Sequence, residues 1–169
     1  GIEDYQYITD LSYTIDDAVD MEDVLISYSN WDIDININNI ELLTDEMASN
    51  DDINIAIENM ASKSDANDVC LFFFSGHGSR IPDDDGDEGK GDRYDEVICP
   101  WDTTKELGNV ISDDELGDWL AACKGNVVVI LDTCMSGGFV TGMEETVKTF
   151  SNPRVPKDAI AKKHFGEGL

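Results

Sequence analysis

His77 and Cys134 are the two residues of this chain whose types can together make an activated nucleophile, and each stands at the end of an apolar run. His77 follows Asp68–Phe74 (DVCLFFF) within Ser75-Gly76-His77-Gly78, and Cys134 follows Asn126–Leu131 (NVVVIL) within Asp132-Thr133-Cys134. Such runs read as strands buried on both faces. In an open parallel sheet the carboxyl ends of such strands share one edge, and active sites form there. The spacing therefore predicts both residues just past the ends of neighbouring strands. An imidazole beside a thiol favours the thiolate or takes its proton, then protonates a leaving amine. Gly76 and Gly78 keep the backbone open around His77, and the N–H groups of Gly78 and Cys134 are candidate donors to a developing oxyanion. A strand-end histidine alone, or a buried thiol alone, carries little; the pair is specific.

Carboxylates stand close to both positions. Asp132 lies two residues before Cys134, Ser75 lies two before His77, and Asp17 opens the first predicted helix. A carboxylate at the end of a buried strand is costly to desolvate without a partner, and one use for it beside a nucleophile is to bind a cationic side chain of a substrate. Asp17 also reads as an ordinary acid at a helix N-terminus, favoured by the dipole. A second acidic group comprises residues 83–95 together with Asp113-Asp114. Clustered loop carboxylates suit Ca²⁺, which takes six to eight oxygens. The loop fails the EF-hand pattern, because a glycine at position 6 puts Ile81 or Asp84 at position 1, and the second register has Gly86 at position 3. A solvated acidic loop is the alternative.

The elements that must hold these residues alternate along the chain, as in an α/β domain with a largely parallel sheet. A helix from about Asp16 to Tyr28 puts Ala18, Met21, Leu25 and Tyr28 on one face. Asn39–Leu43 reads as a short strand. Ser49-Asn50-Asp51-Asp52 supplies N-cap residues for a helix with Ile53, Ile57, Met60 and Ala61 on one face. Residues 82–93 contain no apolar residue and read as a solvated loop, and Asp95–Pro100 returns to strand character. Ser112-Asp113-Asp114-Glu115 is a capping box, followed by Leu116, Trp119, Leu120 and Cys123 on one helical face and Gly125 at its end. After about Phe150 the pattern fades into a basic tail.

Composition excludes several classes. Thirty-seven acidic residues against 11 basic ones give a net charge of −26 over 169 residues. Such a surface repels nucleic acid and anionic membranes, both of which are bound through Lys and Arg, and favours metal ions or basic polypeptides. No apolar run approaches the ~20 residues of a membrane span. The four cysteines form no C-x-x-C pair, which points to free thiols in a reducing, cytoplasmic compartment. No organic cofactor motif is present.

Four blocks in order, Phe73–Ser79 (FFSGHGS), Tyr94–Asp102 (YDEVICPWD), Ile111–Leu116 (ISDDEL) and Val129–Gly137 (VILDTCMSG), resemble the signature blocks of metacaspase-type, caspase-fold cysteine peptidases. The opening Gly1-Ile2-Glu3-Asp4-Tyr5 and the stretch from Leu11 through Asp16-Asp17-Ala18 to Met21 resemble the first loop and helix of that family. The resemblance implies a three-layer α/β/α sandwich around a mostly parallel sheet. It further implies a Cys134–His77 dyad endopeptidase, with a polypeptide substrate bearing Arg or Lys at P1. The family's acidic S1 pocket maps onto Asp17, Ser75 and Asp132, and its calcium-binding carboxylates map onto Asp95, Asp113 and Asp114. A further family carboxylate falls near Thr141, and a family cysteine in the first loop is replaced by Thr14. By the same resemblance, residues 1–150 correspond to a p20-like catalytic region without its first strand and without the small-subunit-like C-terminal portion. Residues 151–169 then form a linker or processing region, and Lys148, Arg154, Lys157, Lys162 and Lys163 offer self-cleavage sites to a zymogen. A catalytically silent interaction or cation-binding module of this fold, and a legumain- or clostripain-like peptidase with another P1 preference, are the alternatives.

Overall fold

One long strand organises the sheet. The computed structural model describes residues 1–27, 37–82 and 94–135. Its elements are α1 (Thr14–Ser27), α2 (Asn50–Lys63), β1 (Val69–Pro82), β2 (Tyr94–Ile98), β3 (Ile111–Ser112), α3 (Asp113–Leu120) and β4 (Asn126–Met135), with short 3-10 turns at Ile37–Asn39 and Asp45–Met47. The strand order is β3-β2-β1-β4. β1 and β4 make the longest pairing and run parallel, from Val69 beside Asn126 to Gly78 beside Met135. β2 pairs antiparallel with the last residues of β1, Gly78 opposite Ile98 through Pro82 opposite Tyr94, and β3 pairs antiparallel with β2.

β1 runs well beyond its apolar segment. It continues through Ser75-Gly76-His77-Gly78, so His77 lies within a strand and not past its end, and Cys134 likewise lies within β4. The extension of β1 has a nonlocal cause. β2 supplies backbone partners to the polar half of the strand, and just past β2 the Cys99 N–H donates to the His77 carbonyl at 2.9 Å.

The helices follow their caps. Ser49 precedes α2 and its hydroxyl accepts the Asp52 N–H at 3.3 Å, while Ile53, Ile57 and Ala61 are buried at helical spacing. Ser112 caps α3 by accepting the Glu115 N–H at 3.2 Å, and Leu116 and Leu120 are buried. α3 stops at Leu120, so Cys123 and Gly125 lie in the turn that follows rather than on the helix. α1 begins at Thr14 and buries Thr14 and Ala18. These faces meet β1 and β2 in a core that includes Ile2, Ile57, Phe74, Ile98, Ile111 and Leu116.

Two expectations are corrected here. Asn39–Leu43 forms no strand; Ile37–Asn39 is a 3-10 turn, as suits the paired asparagines, whose side chains compete with a ladder for backbone groups. The run Asn126–Leu131 is not buried on both faces, because β4 is at the edge of the described sheet. Val127, Val128, Val129 and Leu131 are half-buried and Ile130 is exposed. Tyr28, the acidic stretch 83–93 and the basic tail lie outside the described residues.

The start of β4 is fixed by a close approach. Asn126 N–H donates to the Asp68 carbonyl at 2.9 Å, and a Cβ on Gly125 would meet that same carbonyl oxygen at 2.2 Å. Gly125→Ala must push β4 away from the turn before β1, at a cost of roughly 1–3 kcal/mol. Urea denaturation measures this directly, and an unchanged midpoint would contradict the close approach.

Candidate active site

The parallel register brings His77 directly beside Cys134 and Ser75 directly beside Asp132. Side chains alternate along a strand, so Ser75 and His77 share a face of β1, and Asp132 takes the matching face of β4. Four of the five sequence-predicted positions of the dyad and pocket therefore lie in two register pairs, separated by the single pair Gly76 and Thr133.

Ser75 is 1% exposed and donates its hydroxyl to Asp17 Oδ2 at 3.0 Å. Asp17 comes from the first turn of α1 and is half-buried. Asp17 thus reaches Ser75 through a hydrogen bond, while Asp132 is its register partner on β4. Asp132 is exposed, which corrects the expectation of a costly buried carboxylate at this strand end. On the outer strand of the described sheet its charge stays solvated and open to a cation.

His77 is held on three sides and is 8% exposed. Its backbone N–H donates to Tyr5 Oη at 2.8 Å, and the Tyr5 ring lies against the imidazole with centroids 4.9 Å apart at 45°. Its ring Nε2 sits 2.8 Å from the Thr9 carbonyl oxygen. A carbonyl only accepts, so Nε2 carries a proton, which in the neutral tautomer leaves the lone pair on Nδ1. Burial pushes the Tyr5 phenol well above its ordinary range, so it stays neutral beside the histidine. A Cβ on Gly76 would meet Tyr5 Oη at 2.6 Å, so the absence of a side chain there is what lets the tyrosine reach. Gly78 lies inside the sheet, paired with Ile98 on one side and Met135 on the other.

The first loop carries these contacts and is tied down along its length. Ile2 N–H donates to the Ser75 carbonyl (3.2 Å), Tyr5 N–H to Asp10 Oδ1 (3.1 Å) and Gln6 N–H to the Trp101 carbonyl (3.2 Å). Thr14, at the position where the resembled family has cysteine, is buried and gives its hydroxyl to the Ile2 carbonyl at 2.6 Å. Tyr5 and Thr9 were not among the sequence-predicted site residues. Tyr5 was legible only as part of the opening Gly-Ile-Glu-Asp-Tyr, and the Thr9 contribution is a backbone carbonyl, for which residue type gives no signal.

The expected calcium carboxylates are grouped less tightly. Asp95 stands opposite Ile81, two residues before Val97, while Asp113 and Asp114 follow Ser112, the partner of Val97. Among the described residues, no group of three or more His, Cys, Asp or Glu side chains is arranged to hold a metal ion. Burial pushes the Cys99 thiol up to about 11, and burial together with the neighbouring Cys70 thiol pushes Cys123 up to about 12. Both stay protonated at neutral pH, which leaves them poor nucleophiles.

The family model of the metacaspase, peptidase C14 domain matches residues 1–142. Metacaspase-1 of Cryptococcus neoformans is 35% identical over 116 residues, covering 61% of this chain and 22% of the relative. Metacaspase-1A of Aspergillus fumigatus is 33% identical over 105 residues, covering 61% of this chain and 24% of the relative. The chain therefore matches less than a quarter of the length of these relatives. A solved protein from Geobacter sulfurreducens superposes with a TM-score of 0.61 at 24% identity, over 79% of this chain and 48% of its own, a likeness of fold. The mixed α/β sheet with its flanking helices is a caspase-like arrangement.

Tyr5→Phe removes the acceptor of the buried His77 N–H and little else. The expected loss is about 1–3 kcal/mol, the cost of an unsatisfied buried donor, read as a shift in the urea midpoint. An unchanged midpoint would mean that the N–H finds another partner.

Proposed function

The chain belongs to the metacaspase, peptidase C14 family, and from that membership we propose that it is the catalytic region of a cysteine endopeptidase cleaving after Arg or Lys. The observation that carries the reading is the parallel register, with His77 beside Cys134 and Ser75 beside Asp132. A dyad and a charged pocket need to be neighbours, and one register makes both pairs neighbours.

The mechanism follows from the histidine. With Nε2–H engaged by the Thr9 carbonyl, Nδ1 takes the proton from the Cys134 thiol and the sulfur attacks the scissile carbonyl carbon. The carbonyl oxygen becomes an oxyanion, for which the N–H groups of Gly78 and Cys134 are the proposed donors. Collapse breaks the C–N bond, and the proton on Nδ1 passes to the leaving amine. Water, deprotonated by the same nitrogen, then attacks the thioester, and the acid product leaves with the thiol restored. Thr9 keeps the ring in one tautomer throughout, so the same nitrogen serves as base and as acid.

Basic P1 specificity rests on the carboxylates around Ser75. Asp17 and Asp132 present two negative charges, one half-buried and one exposed, while the Arg80 side chain is 3.3 Å from Glu96. A guanidinium or ammonium is attracted there and a carboxylate repelled. The basic residues from Lys148 to Lys163 would then be bonds that the enzyme cuts in its own chain, the basis for reading it as a zymogen. The half-exposed apolar residues of β4 suit covering by a small-subunit-like C-terminal portion of the same protein. Cys70, Cys99 and Cys123 are free thiols, in keeping with a reducing, cytoplasmic setting, and no helix among the described residues is long and apolar enough to cross a membrane. Calcium at Asp95, Asp113 and Asp114 is part of the proposal and enters as a variable of the assay, and the reaction is derived from the chain's own residues.

Fluorogenic peptides with P1 Arg and P1 Asp, assayed with and without Ca²⁺, test the proposal. Turnover is expected for Arg and Lys only, with loss of all activity in Cys134→Ala and of about 10²–10⁴ in kcat in His77→Ala. Asp132→Asn is expected to raise KM for P1 Arg roughly fivefold, the worth of one exposed charge pair. Preference for P1 Asp, or turnover by Cys134→Ala, would overturn the reading, the latter in favour of a catalytically silent module.

A further inference from the structure

One carboxylate that takes no part in this mechanism binds the loop that holds the catalytic histidine. Asp45 opens the 3-10 turn Asp45–Met47. Its Oδ1 accepts the backbone N–H groups of Glu3 (2.8 Å) and Asp4 (3.0 Å), more than forty positions away, and its own N–H donates to the Gly1 carbonyl at 3.3 Å. Tyr5 follows Asp4 directly, and Thr9 lies four residues further on.

The same turn grips the loop on the other side of Tyr5. Ala48 N–H closes the turn on the Asp45 carbonyl at 2.7 Å, the Ala48 carbonyl accepts the Trp101 N–H at 2.9 Å, and the Trp101 carbonyl accepts the Gln6 N–H at 3.2 Å. Residues 3–6 are therefore clamped on both sides of Tyr5, by a carboxylate before it and by Trp101 after it. Behind the turn stands α2, capped by Ser49 and packed through Ile53 and Ile57 into the core, so the clamp is referred to a rigid body. Asp45 holds this position at φ 44°, a left-handed conformation that most side chains resist and that Asp, Asn and Gly accept. Bonds from a carboxylate to two adjacent N–H groups are the strong kind, and they end one and two residues before the tyrosine that supports His77.

We propose that Asp45 is a positioning residue for His77: its carboxylate fixes Glu3 and Asp4 so that Tyr5 Oη and the Thr9 carbonyl hold the imidazole in its Nε2–H form. The kinetic consequence rests on the peptidase reading, whereas the effect on the ring does not. Two substitutions separate the carboxylate from the backbone conformation. Asp45→Gly keeps the left-handed φ and removes the acceptor; Asp45→Asn keeps both φ and a neutral acceptor.

Long-range ¹H–¹⁵N NMR of the full protein reads the His77 tautomer, with His77→Ala assigning its signals against those of His164. In parallel, kcat and KM are measured on a P1-Arg peptide. Asp45→Gly is expected to fold, to lose the single Nε2–H tautomer, and to lower kcat about tenfold with KM unchanged, as a displaced catalytic group does. Asp45→Asn is expected to restore the tautomer and to bring kcat back within about twofold of the parent. If Asp45→Gly does not fold, Asp45→Ser, too short to reach both N–H groups, carries the same expectation. An unaltered tautomer in the folded variant, or a fall in melting temperature with kcat unchanged, would overturn the proposal. A parent protein without turnover, whose ring nonetheless changes tautomer in Asp45→Gly, would support the positioning role and contradict the peptidase reading.

Discussion

The site depends on one register, that of β4 against β1. Sliding β4 by a single residue would set Thr133 beside His77 and turn Asp132 and Ser75 to opposite faces of the sheet. Sliding it by two would preserve the faces but part both pairs. The register is held from both ends of the ladder. At the start, Gly125 lets the chain pass against the Asp68 carbonyl, and the Asn126 N–H bonds to that oxygen. Towards the other end, Gly78 sits so close to Thr133 that a Cβ there would meet its side chain at 3.2 Å. The pairing between these points is long and parallel, and since a parallel pair is slightly less stable per residue its length contributes to holding it.

The register alone does not orient the imidazole of His77, the proposed base. That comes from a loop which contributes no strand or helix of its own but packs against β1. Ile2 bonds to Ser75, Tyr5 supports the backbone of His77, and Thr9 fixes its ring. The loop makes these contacts because it is braced internally by Asp10 and secured from outside by Asp45, Thr14 and Trp101. Two of the chain's many acids, Asp10 and Asp45, therefore act by accepting backbone N–H groups, bonds that a carboxylate makes stronger than a neutral acceptor does. Asp17 and Asp132, by contrast, stand beside Ser75, where the proposed cationic side chain of a substrate would meet them.

Much of this was legible in the chain because the relevant signals are local. DVCLFFF and NVVVIL announce two strands, the residues that follow them name the dyad, and Ser49 and Ser112 cap α2 and α3 where their spacing predicts. What escaped the sequence is nonlocal. That His77 and Cys134 lie within strands follows from β2 and from the mutual pairing of β1 and β4, which no window around either residue contains. The half-exposed state of β4 goes with its place at the edge of the described sheet, which no composition announces. The Thr9 carbonyl carries no residue-type signal, and Asp45 reads as one acid among 37 until its two partners at Glu3 and Asp4 are seen. Asn39–Leu43 misleads in the opposite direction, since apolar alternation there is outweighed by turn-forming asparagines.

The account joins the proposed dyad and acidic pocket in one piece of sheet, and a structure of the complex with a peptide aldehyde bearing P1 Arg tests that junction most directly. It predicts a carbon–sulfur bond from the aldehyde carbon to Cys134, the arginine guanidinium between Asp17 and Asp132 beside Ser75, and His77 Nε2 still on the Thr9 carbonyl. An aldehyde joined to another residue, or a covalent adduct whose guanidinium points away from both carboxylates, would contradict it.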